Sequence, residues 1–264
     1  MTQGRGACRY GFVIKDCALI PLATGARAQN LKELRDALYW VPAESIYHHF
    51  WERMLRAQFA EPEYNNDFAS WVFHSLHEKD LAERLAIIDP TDFDDLEDLR
   101  QEVAEVIDQR LDESDYIPWA RADQQFYFMH SQMVVFDSGI RLRHPDQLPE
   151  IVPRLSTGSI FYHFIDARRR TPGRLDDFSS WLAECGDEYA PLRELLEGID
   201  PYFSSLEYVR DLLCEITSSY VEGRPCQLPP RMGGGGGASP PPAGEDPAAR
   251  KAAPSGSAAA GDAS

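Results

Sequence analysis

Two stretches of the chain show the alternation of apolar and polar residues that is typical of strands. In the first, Tyr10, Phe12 and Ile14 alternate before the apolar run Cys17–Leu22, which Thr24-Gly25 follows. In the second, the run Phe126–Phe128 precedes Met133–Phe136 and Asp137-Ser138-Gly139. The glycines are typical turn residues, so each stretch is predicted to form a short β-hairpin.

Helical spacing follows each predicted hairpin. Asn30 stands before Leu31, Leu34 and Leu38, with Glu33 three residues on, which indicates a capped helix. Ser45 and Ser159 are predicted N-caps of the next helix, and Asn66 or Asp67 of a third. Further helices are predicted over residues 80–88, 95–111, 187–198 and 205–221, and Pro149 and Pro153 should shorten the helix after the second hairpin.

Four short motifs occur twice in the same order. Ser45–Phe50 (SIYHHF) recurs as Ser159–Phe164 (SIFYHF), 114 residues later, and Asp67–Val72 (DFASWV) recurs as Asp177–Leu182 (DFSSWL), 110 residues later. The remaining two pairs are Ile88-Asp89-Pro90 with Ile199-Asp200-Pro201, and Leu96–Arg100 with Leu206–Arg210. The order and near-constant offset indicate a tandem duplication.

The duplication defines the predicted architecture. We expect an α+β fold, mostly helical, with two pseudo-symmetric tandem units over residues 8–115 and 124–225. Each unit should contain a short β-hairpin and about four helices. Residues 228–264 are rich in Gly, Pro and Ala and offer almost no apolar bulk, so we expect a disordered tail.

Charge narrows the classes of partner. Lys and Arg number 26 against 43 Asp and Glu, so the formal net charge is −17 at pH 7. An acidic surface disfavours binding to nucleic acid or to an anionic membrane. No apolar stretch approaches the roughly 20 residues of a spanning helix, and no secretory signal is recognised. Five cysteines without a C-x-x-C pair predict free buried thiols and a cytoplasmic protein.

The repeated histidines are the main candidates for a site. His49 and His163 occupy equivalent positions, with Tyr47 and Tyr162 beside them. One interpretation is a small-molecule site between the repeats, to which Arg168 and Arg170 add positive charge. The other is that each histidine is a hydrogen-bonded core residue. We likewise expect the arginines to be neutralised within the protein, by Asp176, Asp177 or Glu184, and Trp71 and Trp181 to belong to the core.

Motifs of established catalytic classes are missing. The sequence has no phosphate-binding glycine loop on a strand–helix junction and no G-x-S-x-G, and its five cysteines occupy no equivalent positions in the two copies. His74 with Glu78, and the acidic stretch from Asp89 to Asp98, do not have the ligand spacing of known zinc or calcium motifs. We therefore predict no catalytic residues, no metal and no cofactor.

The repeated S-I-[YF]-x-H-F and D-F-x-S-W motifs resemble a family of prokaryotic proteins known only as a domain of unknown function. The resemblance covers about residues 8–222 and implies a bacterial or archaeal source. The D-F-x-x-W helix is also similar to helices beside signalling and metabolic domains, which implies a regulatory or docking role. The resemblance supplies no catalytic residues.

The sequence therefore favours a non-enzymatic interaction or regulatory protein that binds an unidentified protein or small molecule. The alternative is an enzyme for a phosphorylated or sugar-like substrate, with His49 and His163 as acid and base and the segment 168–170 as an anion clamp.

Overall fold

The computed structural model describes residues 8, 10–56, 63–113 and 120–226. This part of the chain is α+β and mostly helical, as predicted. The disordered tail predicted for residues 228–264 lies outside the described residues. The unit boundaries at 8–115 and 124–225 stay predictions.

Two long strands alternate with two groups of helices. Strand β1 spans Phe12–Ala28, and strand β2 spans Phe126–Leu142. The helices between them are α1 (Leu31–Leu38), α2 (Ala43–Phe50), α3 (Asp67–Leu76), α4 (Lys79–Ala86) and α5 (Leu96–Asp112). The helices after β2 are α6 (Leu148–Ile151), α7 (Thr157–Ile160), α8 (Ala167–Arg170), α9 (Asp177–Cys185), α10 (Ala190–Glu197) and α11 (Leu206–Glu222).

The two strands pair with each other and form one antiparallel ribbon. Phe12 lies opposite Leu142 at one end, and Ala28 lies opposite Phe126 at the other. The prediction of a short hairpin inside each unit is therefore wrong. Neither glycine segment reverses the chain, so each predicted hairpin continues as a single strand of 17 residues.

The predicted turns are β-bulges instead. Residues 24–26 interrupt the register in β1, and residues 138–140 interrupt it in β2. Gly25 has a φ of 85° and Gly139 a φ of 79°, a conformation that glycine adopts without a steric penalty. The glycines therefore kink the ribbon without ending either strand.

A hydroxyl closes each bulge. Thr24 donates from Oγ1 to the carbonyl oxygen of Phe128 at 2.8 Å. Ser138 donates from Oγ to the carbonyl oxygen of Ile14 at 2.7 Å. The two bulges thus use the same hydrogen bond from a residue directly before the glycine to the opposite strand.

Helix starts confirm part of the capping prediction. The side chain of Asn30 accepts a hydrogen bond from the N–H of Glu33, and Asn66 caps α3 in the same way. Ser45 and Ser159 are not N-caps: α2 begins at Ala43 after Pro42, and Ser156 caps α7. The fixed φ of proline suits a helix start, and the N-cap Ser156 lies three residues before Ser159.

The predicted shortening after the second strand is confirmed, because α6 has four residues and a 3-10 turn follows it at 152–154. The helix that carries the repeated motif is distorted: between α7 and α8 the chain forms a π-helical turn over Phe161–Asp166.

Both strands of the ribbon are contacted by helices. Helix α2 packs on β2 and helix α7 packs on β1, so each group of helices reaches the strand that is farther away in sequence. Helix α1 packs on β1, the strand directly before it. Among the residues described, no helix combines the length and apolar character needed to cross a bilayer.

The cysteine prediction is wrong for two of the five residues. Cys8 and Cys185 form a disulfide that joins the segment before β1 to the end of α9. Cys17, Cys214 and Cys226 are free, as predicted, but only Cys17 is buried, whereas Cys214 and Cys226 are half-buried. The pairing depends on a tertiary contact across 177 residues, which the spacing of cysteines along the chain does not indicate. The argument from cysteines to a reducing compartment is lost with it.

We expect the double substitution Cys8→Ser/Cys185→Ser to lower the free energy of unfolding by about 2–5 kcal/mol, because the disulfide restricts a long loop of the unfolded chain. Urea titration under non-reducing conditions measures the change, with Cys214→Ser as the control. Equal stability of the double variant and an oxidised wild type would contradict the role of this bond.

Candidate functional site

His49 joins two helices to a strand. It lies on α2 and is 2% exposed. Its Nδ1 is 2.9 Å from Oδ2 of Asp67, the first residue of α3. Its Nε2 accepts a hydrogen bond of 3.1 Å from the backbone N–H of Met129 in β2. The imidazole therefore satisfies a strand N–H that no neighbouring strand pairs with.

His163 has the same arrangement with the other strand. It lies in the π-helical turn and is also 2% exposed. Its Nδ1 is 2.7 Å from Oδ2 of Asp177, the first residue of α9. Its Nε2 accepts a hydrogen bond of 2.8 Å from the backbone N–H of Lys15 in β1.

The partners determine the protonation of both rings. A backbone N–H can only donate, so Nε2 must carry a lone pair in each histidine. The proton of the neutral ring then lies on Nδ1 and is donated to Asp67 or Asp177. Neither ring keeps a free nitrogen for a substrate proton. These contacts are what the core interpretation of the histidines expects, while ligand binding at these residues stays a prediction.

In the pair His49–Asp67, the pKa of both groups is lowered, which disfavours the charged imidazole and favours the charged carboxylate. Burial lowers the pKa of His49, despite the opposing effect of Asp67. Burial alone would raise the pKa of Asp67. The hydrogen bond from His49 and the nearby guanidinium groups of Arg56 and Arg53 outweigh that effect and bring it to about 2. The pair therefore consists of a neutral imidazole and a carboxylate.

Aromatic rings surround both pairs. Phe126 lies with its ring centroid 4.7 Å from that of His49, and Phe12 lies 5.0 Å from His163. Trp71 and Trp181 are buried, and their indole N–H groups donate to the carbonyl oxygens of Gln124 and Tyr10. The predicted assignment of the tryptophans to the core agrees with this burial.

Tyr47 and the arginine segment meet at Asp166, a residue that the sequence analysis missed. Asp166 is 1% exposed and accepts a hydrogen bond of 3.2 Å from the hydroxyl of Tyr47. It also binds Arg169 at 3.0 Å and Arg170 at 2.7 Å. Burial, followed by the charge of Asp166, raises the pKa of Tyr47 well above its usual value. The helical spacing of 166, 169 and 170 was the signal that could have identified this acid.

The other predicted site residues lie against the same network. The guanidinium of Arg170 lies 4.0 Å from the ring centroid of Tyr162 and 3.2 Å from Oδ2 of Asp177, so it also borders the His163 pair. Arg168 lies over the ring of Phe164 instead. Of the three acids expected to neutralise the segment, Asp177 contacts Arg170, and Asp176 interacts electrostatically with Arg168. No hydrogen bond or ring contact between described residues joins His49 to His163.

A second polar cluster surrounds His48. Arg56 lies with Nη2 2.6 Å from Nε2 of His48 and also contacts Asp67. The opposite nitrogen, Nδ1, is 2.8 Å from both Oε2 of Glu52 and Oγ of Ser131. Because a guanidinium only donates, Nε2 of His48 carries the lone pair and Nδ1 carries the proton.

His48, His49 and Asp67 place three possible metal-binding atoms within 4.8 Å of one another. The donor set does not fit a metal ion. His49 has no nitrogen lone pair left, since its Nε2 accepts the N–H of Met129 and its Nδ1 carries the proton. The remaining nitrogen, Nε2 of His48, faces the cationic group of Arg56. We therefore assign this cluster to the hydrogen-bonded interior.

The described chain is thus an α+β protein in which buried histidine–aspartate pairs attach helices to the two strands of one ribbon. It belongs to the family described as a family of unknown function, DUF5752, which matches residues 9–218. The resemblance to a family of unknown function predicted from the sequence is confirmed.

The chain is also similar to a solved structure described as the structure of OrfY from Thermoproteus tenax. The two share 27% sequence identity with a TM-score of 0.70, over 82% of this chain and 98% of that one. OrfY comes from an archaeon, which agrees with the predicted prokaryotic character of the relatives. No curated protein matches the chain.

We expect His49→Ala and His163→Ala each to lower the free energy of unfolding by about 2–4 kcal/mol. Each change leaves a cavity and deprives a strand N–H of its acceptor. Urea titration measures the loss, and the exposed His74→Ala should change stability by less than about 0.5 kcal/mol. Wild-type stability in either buried variant would exclude the structural role.

The lowered pKa of His49 predicts a pH dependence of stability. As the pH falls below about 6.5, the unfolded chain binds a proton that the buried ring does not accept, so the folded state loses stability. Asp67 adds a further loss as the pH falls from about 4 towards 2, through its lowered pKa.

Urea titrations of wild type and His49→Gln between about pH 7 and pH 5 isolate the histidine contribution, because glutamine does not titrate. The wild type should lose more stability than the variant over this range, whereas His74→Gln should follow the wild type. Parallel pH profiles for wild type and His49→Gln would refute the assignment.

Proposed function

We propose that this protein is a non-enzymatic interaction or regulatory protein, built from two copies of one unit. The observation that carries the proposal is an uncovered apolar patch on the ribbon. The duplication accounts for the repeated residues that hold the helices to the ribbon. It gives no structural role to the apolar patch.

The register of the ribbon supports the duplication. Leu19 lies directly opposite Met133, and these residues are separated by 114 positions, the same offset as the SIYHHF repeat. When two equivalent strands pair in antiparallel orientation, the approximate twofold axis that relates them passes between two residues at equivalent positions, here Leu19 and Met133. The bulge glycines Gly25 and Gly139 also lie 114 positions apart. The pairs at the two ends of the ribbon are equivalent as well. Phe126 and Leu142 lie 114 positions after Phe12 and Ala28, so the pair Phe12–Leu142 at one end corresponds to the pair Phe126–Ala28 at the other.

The contacts of the repeated residues are reciprocal. His49 and Trp71 of the first copy bond to β2 or the residues just before it, and their counterparts His163 and Trp181 bond to β1 or the residues just before it. Each set of helices thus binds the strand of the other unit, although α1 also packs on β1 of its own unit. The two units must therefore fold together, and the repeated polar residues are explained by this requirement.

The patch consists of Ile20, Leu22, Val134 and Phe136, which we call the ribbon patch. These side chains are 40–48% exposed, although each is large and apolar. Alternation along the strands places Cys17 and Leu19 on the opposite face, where Cys17 bonds to Gly158 of α7. A contiguous exposed apolar surface of this kind is typical of a binding site for another protein.

Charge indicates which kind of partner the ribbon patch binds. The chain carries a net charge of −17, whereas the patch contains no charged residue. A protein with an apolar surface bordered by Lys and Arg would bury the patch and attract the acidic body around it. A second copy of this chain would bring two strongly negative bodies together, which disfavours self-association.

No described contact favours the enzymatic alternative. In both His49 and His163 the two ring nitrogens have partners within the protein, and the segment 168–170 is held by Asp166, Asp177 and the ring of Phe164. The proposal therefore assigns these residues to the architecture of the duplicated fold.

The test replaces two residues of the ribbon patch. We expect Ile20→Lys/Val134→Lys to keep the wild-type unfolding midpoint, because both side chains are exposed, and to lose a partner that the wild type retains on an affinity column. The bound partner should elute as salt increases, since its basic rim contributes to binding.

Ile87→Lys is the matched control, because Ile87 is an exposed apolar residue at the C-cap of α4, and this variant should retain the partner. Identical sets of retained proteins for the patch variant and the wild type would refute the proposal. A wild type that sediments as a dimer, and a patch variant that sediments as a monomer, would identify a second copy as the occupant and contradict the basic partner.

A further inference from the structure

A cavity of about 420 Å³ opens beside the disulfide, away from the histidine pairs. It is lined by Cys8, Gly11, Arg141, Leu142, Arg143 and His144. Pockets of a few hundred Å³ have the size that small organic ligands occupy. Its lining includes no residue of the two histidine–aspartate pairs.

Half of the lining residues carry basic side chains, in a chain with a net charge of −17. Arg141 is neutralised by Asp137, with which it forms a two-point ion pair. Arg143 and His144 form no ion pair with a carboxylate among the described residues. The guanidinium of Arg143 is therefore a positive group in the lining that no described carboxylate pairs with, and His144 adds an imidazole to the same lining.

The wall of the cavity is held in place by covalent and close contacts. The disulfide fixes Cys8 to Cys185 at the end of α9. A Cβ at Gly11 would lie 3.1 Å from the carbonyl oxygen of Leu142, so the missing side chain allows the two segments to approach closely. A preformed wall reduces the entropy lost when a ligand binds.

Comparison of the two copies shows which lining residues differ from their counterparts in the first copy, and this comparison rests on the duplication proposed above. Arg141 corresponds to Arg27 at the offset of 114, so both copies have an arginine there. Arg143 and His144 correspond to Gln29 and Asn30, which are neutral. His144 keeps the capping position of Asn30 and forms a capping box with Gln147, whereas Arg143 adds a charge that Gln29 does not have. The repeated fold can thus be built with uncharged residues at these two positions.

We propose that the cavity binds a small phosphorylated molecule, with Arg143 and His144 as the residues that contact its phosphoryl group. A guanidinium presents several N–H donors to phosphoryl oxygens, and an imidazole adds a donor from a second direction. The volume exceeds that of a phosphate ion, so the cavity accommodates an organic portion as well. Within a chain of net charge −17, the unpaired guanidinium of Arg143 favours an anion at this cavity.

The test uses inorganic phosphate and pyrophosphate as probes and measures binding by calorimetry. Arg143→Gln and His144→Asn introduce the residues of the first copy, so they should preserve the fold. We expect pyrophosphate to bind the wild type more tightly than phosphate does, and its affinity to fall as salt increases. Each variant should weaken binding about tenfold, the effect of one lost charge-assisted hydrogen bond.

Arg121→Gln is the matched control, because it removes the same charge from an exposed position in the segment before β2. It should bind pyrophosphate as the wild type does. The absence of binding to the wild type, or equal binding to wild type and to Arg143→Gln/His144→Asn, would overturn the proposal. Citrate that binds as tightly as pyrophosphate would overturn the assignment to phosphoryl groups.

The ribbon-patch variant Ile20→Lys/Val134→Lys separates this proposal from the proposed function. It should bind pyrophosphate with wild-type affinity even though it has lost the protein partner. Loss of the partner with intact anion binding, or the reverse, therefore identifies which of the two proposals fails.

Discussion

The pairing of β1 with β2 is the constraint on which the rest of the described structure depends. A two-stranded ribbon leaves an unpaired row of N–H groups along each outer edge, and such groups are costly when helices bury them. His49 and His163 accept the N–H groups of Met129 and Lys15, one on each strand. The imidazole rings also pack against Phe126 and Phe12, so both hydrogen bonds and aromatic contacts attach the helices to the ribbon.

The buried carboxylates also have partners within the protein. Asp166 is almost completely buried, and such a carboxylate is tolerated because a tyrosine hydroxyl and two guanidinium groups surround it. Asp67 and Asp177 each bind a neutral histidine and an arginine. Groups that in the sequence suggest acid–base chemistry or an anion clamp thus compensate one another inside the protein. The ribbon patch and the cavity beside Cys8 contain no residue of these buried networks.

The sequence predicted the helices well because their signals are local. The capping of α1 by Asn30 and the positions of α5 and α11 depend on residues within one or two turns of each other. The same locality explains the errors. A glycine after a strand-like run is compatible with a turn or with a bulge, and only the partner strand decides between them. Neither Ser45 nor Ser159 is an N-cap, because α2 and α7 begin directly after Pro42 and Ser156, three residues earlier.

The sequence by itself determined the mostly helical α+β class, the repeated motifs and the acidic charge, since composition and short-range periodicity carry this information. Only the tertiary structure decided that the strands pair with each other, that Cys8 bonds to Cys185, and that Asp166 receives the arginines. These contacts join residues brought together by the ribbon and the packed helices. Their formation depends on the folded backbone, which places each side chain within hydrogen-bonding or bonding distance of its partner.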